Sequence, residues 1–178
     1  MSKTNNFVFI GLQVVAWIIF VGLCIEAFGY LVNFIFSIYN PGVLHHLYQK
    51  LDITALYDGS KAVFFGIYSF ILVIAFLKAG LFYAVIHLML KMDLQHPFNA
   101  FVLRHITLIS YFTLSIGVLS AVAGQFSERL VHHGIASGGL TGQWNDGEAF
   151  ILMGAVIYII AVIFKKGVEL QSENDLTV

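Results

Sequence analysis

Apolar residues dominate four long stretches of the chain, and shorter polar segments separate them. A helix needs about 20 predominantly apolar residues to cross the roughly 30 Å hydrocarbon layer, and in lipid its backbone groups must bond within the segment. The pattern therefore predicts an all-α membrane protein, a single domain with four transmembrane helices arranged as two helical hairpins. The predicted spans cover about residues 7–39, 62–90, 105–126 and 147–166.

The connections on the side opposite the termini have different characters. Asn40, Pro41 and Gly42 form a turn signal, and the apolar residues of 43–51 then fall on one helical face. This pattern predicts a short outer amphipathic helix between spans 1 and 2, which either lies on the membrane or caps the bundle. Residues 129–146 are rich in glycine and polar side chains, which predicts a loop.

The composition excludes several classes of protein. Hydrophobic residues make up 59% of the chain, charged residues 11%, and the mean hydropathy is +0.87. Soluble domains carry about 25% charged residues, so an ordinary soluble domain is excluded. Nine Lys+Arg against ten Asp+Glu, without a basic block, predict no direct contact with nucleic acid. A single cysteine excludes an internal disulfide.

Cationic residues near the span ends predict the orientation. More of them lie on the side that both termini share than on the opposite side. Because cytoplasmic loops are enriched in Lys and Arg, both termini are expected in the cytoplasm. The residues on the terminal side are Lys3, Lys91, Arg104, Lys165 and Lys166, and those on the opposite side are Lys50, Lys61 and Arg129.

Two charged residues stand out because they lie well away from the ends of their predicted spans, Glu26 in the first and Lys78 in the second. Inserting a charged residue at a helix centre costs about 2.5 to 3.5 kcal/mol, so such residues usually face protein or water. Helix tilt and the long lysine side chain can bring the two together, which predicts an intramembrane ion pair. In the alternative, Glu26 reaches outer water while Lys78 bonds carbonyls or extends to the interface. Asn33 shares a helical face with Gly22, Glu26 and Gly29, and this face is expected to point inward.

A row of small residues in the third span predicts close helix packing. Its members, Thr113, Gly117, Ala121 and Gly124, lie on one helical face. Small side chains let two helix backbones approach each other in lipid. Packing alone accounts for this row.

Seven histidines raise the question of a haem or metal site. His87 and His105 lie near the terminal-side ends of their spans, where two imidazoles are weak candidates for axial haem ligands. His132 and His133 are weak candidates for a divalent metal, because neighbouring residues point to different helix faces and no motif fixes further ligands. The sequence predicts no cofactor.

The sequence also lacks a nucleotide-binding loop and a nucleophile elbow, so no catalytic residue is assigned and an enzyme is not expected.

Two polar segments on the terminal side are candidates for docking a partner. In the loop 91–104, Pro97 ends the second helix and Asn99 is a candidate N-cap of the third. The tail 167–178 is too short to fold alone and is either a helical extension of the fourth span or a docking peptide. The candidate docking residues are Pro97, Phe98, Asn99, Arg104, Glu169, Leu170, Glu173, Asp175 and Leu176.

These two segments resemble the bacterial membrane family called domain of unknown function 2975. The resemblance rests on Pro97-Phe98-Asn99, on Leu103-Arg104, and most specifically on the closing run from Phe164 to Val178. His96 stands where the family usually has Gly or Asn, a departure that does not disturb the turn. The resemblance implies a four-span protein of the bacterial inner membrane without an established activity. It also implies a partner, because members are often encoded beside a small helix-turn-helix regulator of the Cro type.

The sequence leaves three functions open. The first is a non-enzymatic sensor or sequestering module that binds such a regulator through the cytoplasmic loop and tail. The second is a subunit for small-molecule or ion binding, transport or resistance, with an intramembrane polar pocket near Glu26. The third is a structural accessory subunit of a larger membrane complex. A homo-oligomer is compatible with each of them.

Overall fold

A computed structural model describes residues 3–39, 54–92, 97–134, 142 and 144–175 of the chain. Within these residues all regular structure is helical. Four helices are long and apolar enough to cross a membrane, so the all-α multi-pass membrane fold predicted from the sequence is confirmed. The helices are α1 (Lys3–Tyr39), α2 (Thr54–Gly59), α3 (Lys61–Lys91), α4 (Ala100–His132) and α5 (Gly147–Asp175).

Two of the long helices extend well past the apolar stretches that predict them. α4 begins at Ala100, where Asn99 is extended and its side-chain oxygen accepts a hydrogen bond from Val102 N at 2.9 Å. Asn99 is therefore the N-cap, as predicted. α5 continues to Asp175, so the described part of the tail is a helical extension of the fourth span.

The predicted loop at 129–146 is wrong at its start, because α4 continues through His132. Ser127 and Leu130 are buried in this last part of the helix, at 0% and 7% exposure. Their burial keeps the segment helical despite its polar composition. The amphipathic helix predicted at 43–51 lies outside the described residues. α2 is a separate short helix whose Leu56 is buried in the core.

α3 and α4 form the centre of the molecule. α3 packs against α1 and α4, α4 packs most extensively against α5, and α2 lies on α3. The four long helices are thus two hairpins, α1 with α3 and α4 with α5, joined along α3 and α4. In the most apolar part of α1 only 6% of residues are buried, against 39% in α4. Most apolar side chains of α1 therefore face lipid.

The closest helix approach joins α4 to α5. A Cβ atom at Gly117 would lie 2.6 Å from the backbone nitrogen of Ile151, and one at Gly154 would lie 2.7 Å from Leu114 Cγ. The Ser110 hydroxyl donates a hydrogen bond across this interface to the Gly154 carbonyl at 3.1 Å. The row of small residues in the third span thus lies where the backbones meet.

The inward face of α1 differs from the one expected. Asn33 is buried, with Ala27 and Tyr30 beside it. Gly22 instead lies on the exposed side, and a Cβ there would meet no atom within 4 Å. Since α1 packs mainly against the single helix α3, its buried stripe is narrow and excludes Gly22.

Candidate functional site

A small polar cavity lies between α1 and α3, away from the ends of both helices. It is partly open at the protein surface, and its volume is about 50 Å³. Pockets for organic ligands usually measure about 300 to 1,000 Å³, so this cavity is of a size for water or a single ion. Its polar lining is Glu26 and Tyr30 of α1, Lys78 of α3 and Trp144, and its apolar lining is Leu23, Ile71, Ile74 and Ala75.

Tyr30 fixes the carboxylate of Glu26. The Tyr30 hydroxyl donates a hydrogen bond to Glu26 Oε1 at 3.0 Å, one helical turn away. Tyr30 is itself held between the helices, because the Tyr68 hydroxyl of α3 donates to its backbone carbonyl at 3.1 Å. This chain of hydrogen bonds connects α3 to the position of the Glu26 carboxylate.

Lys78 points toward the second hairpin. Its ammonium lies 5.5 Å from the centroid of the Phe150 ring in α5, within the range of a cation–π interaction. Within the described residues, no nitrogen of Lys78 lies within 4.0 Å of a Glu26 oxygen. The direct ion pair expected from the sequence is therefore not formed, because Phe150 attracts the ammonium while Tyr30 holds the carboxylate. The two charges nevertheless line one cavity.

Asn33 does not share this cavity with Glu26. It lies about two helical turns farther along α1. Its side chain is 9% exposed and contacts the hydroxyl of Tyr68. Asn33 therefore belongs to the packing between α1 and α3, apart from the two charged residues.

The second site is a surface on the side of the membrane that holds the termini. The ring of Phe98 packs on Phe164 of α5, with 4.8 Å between the ring centroids. A Cβ at Gly167 would lie 2.8 Å from Phe98 Cδ1, so the aromatic ring rests directly on the helix backbone. We call this the terminal surface and define it by Phe98, Phe164, Gly167, Glu169 and Leu170.

The exposed part of the terminal surface is both apolar and charged. Phe98 is 44% exposed and Leu170 is 62% exposed. Glu169 lies 3.9 Å from Lys165 in an exposed ion pair, which contributes little stability because water screens it. The two segments that the sequence marked as candidates for docking thus meet in one place.

The remaining candidate docking residues lie around this surface or outside the described part. Pro97 is half-buried, Arg104 is exposed on α4, and Glu173 is exposed on α5. Asp175 is the last residue of α5. Leu176 lies outside the described residues.

A comparison with known protein families matches most of the chain. Residues 52–178 match the family described as "Protein of unknown function (DUF2975)". The chain belongs to this family. The matched range includes Lys78, Trp144 and the whole terminal surface, whereas Glu26 and Tyr30 precede it. No curated protein and no solved structure matches the chain.

In this DUF2975 protein, the paired histidines near the terminal side pack against each other. The rings of His87 and His105 are stacked, with centroids 5.1 Å apart and an interplanar angle of 19°. The Nδ1 atom of His105 is 2.9 Å from the Phe101 carbonyl oxygen. Axial haem ligands approach the iron from opposite faces of the porphyrin, so this geometry differs from that of a bis-histidine haem site.

The opposite end of α4 carries a larger open cleft, of about 330 Å³. Glu128 and Glu148 line it and are exposed, as are the weak metal candidates His132 and His133 on α4. Across the described residues, no three His, Cys, Asp or Glu side chains come together in a way that could hold a metal ion. The cleft is therefore a polar surface without a complete set of metal ligands.

Proposed function

We propose that this protein is a non-enzymatic membrane module that holds a soluble regulator at the bacterial inner membrane through the terminal surface. One observation carries the proposal. Phe98 packs on Phe164 and Gly167, so the loop after α3 and the extension of α5 present a single surface. Two separate short segments offer a partner little area to contact. Packed together, they offer a larger docking surface that is already formed before binding.

The character of the surface supports docking. α5 continues as a helix after Lys165 and Lys166, which are exposed near the end of its apolar stretch. Leu170 and Phe98 remain exposed, and acidic residues adjoin Leu170 on the same helix. A helix with an apolar anchor and charged neighbours is a recurring mode of protein recognition. Its position on a formed helix also lowers the entropy lost on binding.

The proposed orientation places the terminal surface in the cytoplasm. The excess of Lys and Arg on this side supports that orientation. The proposed partner is a small helix-turn-helix regulator, the class implied by the family resemblance. If the protein senses a signal, the bundle must have two states that differ in the exposure of the terminal surface, because a ligand shifts only an equilibrium whose states it distinguishes.

The proposal is tested by co-expressing the chain with a small helix-turn-helix regulator of the Cro type, the proposed class of partner, and measuring the fraction of regulator in membranes. Phe98→Ser, Leu170→Ser and removal of residues 168–178 are expected to lower capture at least about tenfold, since loss of an anchor residue often costs 2 kcal/mol or more. Phe126→Ser removes a comparably exposed aromatic ring at the other end of α4 and serves as the control. Unchanged capture by all three altered chains would refute the proposal.

A further inference from the structure

We infer that the cavity between α1 and α3 is a water site, in which a small cluster of water molecules bridges Glu26 to Lys78. This inference goes beyond the docking function and does not depend on it. It assigns a ligand, water, to a site inside the membrane-spanning part of the protein, and it accounts for two charges that do not pair directly.

The size of the cavity favours water. A buried water molecule needs roughly 10 to 15 Å³ of accessible volume and two to four polar partners. The cavity provides about 50 Å³, which is room for a few water molecules. Its lining offers a carboxylate, a hydroxyl and an ammonium group within this small space.

The hydrogen-bonding capacity of the lining also favours water. An ionised carboxylate accepts about four hydrogen bonds, and Tyr30 supplies one of them to Glu26. The Lys78 ammonium carries three donors, while its contact with Phe150 is with an aromatic face. A water molecule can donate to Glu26 and accept from Lys78. It therefore satisfies both groups and connects charges that lie beyond 4.0 Å from each other.

The two opposite charges disfavour other small occupants. A metal or ammonium cation near Glu26 would meet the Lys78 ammonium, and an anion near Lys78 would meet the Glu26 carboxylate. A dry cavity is typical of a wholly apolar lining, which is not the case here. A neutral dipolar molecule is the occupant that interacts favourably with both sides.

The water site lies between α1 and α3, and Lys78 reaches from it toward α5. Glu26 belongs to α1, Lys78 to α3, and the Phe150 ring that receives Lys78 belongs to α5. Because α1 is the least buried of the long helices and packs mainly against α3, the bridge is a polar link between these two helices, and the contact of Lys78 with Phe150 extends it to α5.

Water-edited solid-state NMR on the full chain in lipid bilayers tests this inference. The chain carries ¹³C-labelled glutamate and alanine and ¹⁵N-labelled lysine, and Glu26→Gln and Lys78→Met assign the two signals. Magnetisation from water is expected to reach Glu26 and Lys78 nearly as fast as it reaches exposed Glu128. The methyl groups of buried Ala27 and Ala84 provide the dry reference. Build-up at Glu26 and Lys78 as slow as at these methyl groups would overturn the water site.

A double-mutant cycle tests whether the water bridges the two charges. Unfolding equilibria are measured for the native chain, Glu26→Gln, Lys78→Met and the double variant. Each single variant raises the unfolding equilibrium constant by some factor. In the double variant the constant is expected to rise several-fold less than the product of these two factors. If the factors of the two single variants simply multiply in the double variant, the bridge is overturned even if both groups are hydrated.

A change of either NMR signal when the dissolved salt is exchanged would indicate a bound ion and would also overturn the inference. Regulator capture involves the terminal surface, so these outcomes are distinguishable from failure of the docking proposal.

Discussion

At Gly117 the absence of a side chain allows α4 and α5 to touch. A Cβ at this position would lie 2.6 Å from Ile151 N and 2.9 Å from the Gly147 carbonyl oxygen. Backbone atoms cannot rotate away, so Gly117→Ala must displace α5. We expect a loss of about 1 to 3 kcal/mol in the free energy of unfolding, the usual effect of overpacking.

The matched control is Gly66→Ala in α3, where an added Cβ meets no atom within 4 Å. Alanine has the higher helix propensity, by about 1 kcal/mol, so this variant is expected to be as stable as the native chain or more stable. Thermal unfolding of both variants in the same detergent measures the difference. Equal stability of the two variants would show that the α4–α5 contact is looser than described.

Trp144 makes a buried hydrogen bond that ties the segment before α5 to α4. Its indole Nε1 donates to the Ser127 hydroxyl at 2.9 Å, and the side chains are 7% and 0% exposed. Ser127→Ala leaves the indole N–H without this acceptor and is expected to cost about 1 to 3 kcal/mol of stability. Ser69→Ala removes an exposed hydroxyl that bonds only along its own helix, to the Phe65 carbonyl, and provides the control. A similar loss of stability in both variants would argue against a structural role for the Trp144 bond.

The extension of α5 is held by its contact with the loop that precedes α4. Because Phe98 is a side chain and can rotate, Gly167→Ala is expected to displace the ring and leave the rest of the bundle intact. Amide hydrogens of residues 168–173 should then exchange about tenfold faster, which corresponds to about 1.4 kcal/mol of lost local stability. Hydrogen–deuterium exchange in lipid nanodiscs measures this change. Gly11→Ala, where a Cβ meets no atom within 4 Å, is the control. Unchanged exchange in Gly167→Ala would mean that Phe98 does not support the extension.

Hydropathy predicted the membrane-crossing part of each helix but not the helix ends. The segment 167–175 carries several charges, and the single charge of Arg104 separates the apolar residues 100–103 from the third span, yet both segments belong to the helices. The start of α4 was predictable from Asn99, because an N-cap has a local chemical signature. The helical state of 129–132 was not, because it depends on burial against other helices.

The candidate sites were predictable only in part, for a related reason. A charged residue within an apolar span is conspicuous in the sequence, so Glu26 and Lys78 were identified. Tyr30 follows Glu26 by four residues, a spacing that allows contact on one helix face. Nothing in the sequence connects Phe150 to Lys78 or Trp144 to this cavity, since periodicity describes one helix at a time. The same limit applies to Phe98, whose place on Gly167 depends on how α4 and α5 pack.

The arrangement of the four long helices determines where the two sites lie relative to the membrane. The four spans found in the described residues place the start of α1 and the end of α5 on one side, and the terminal surface lies there with Phe98. The water site lies within the spans, between α1 and α3. In the proposed orientation, the proposed regulator reaches the terminal surface from the cytoplasm without entering the bundle.

Cysteine labelling in intact bacterial cells tests that orientation most directly. The native Cys24 is replaced by alanine, and single cysteines are introduced as Ser172→Cys on the extension of α5 and Gly142→Cys on the opposite side. A membrane-impermeant maleimide is expected to label Gly142→Cys in intact cells and Ser172→Cys only after the membrane is permeabilised. Labelling of Ser172→Cys in intact cells would place the terminal surface outside the cell and contradict the account.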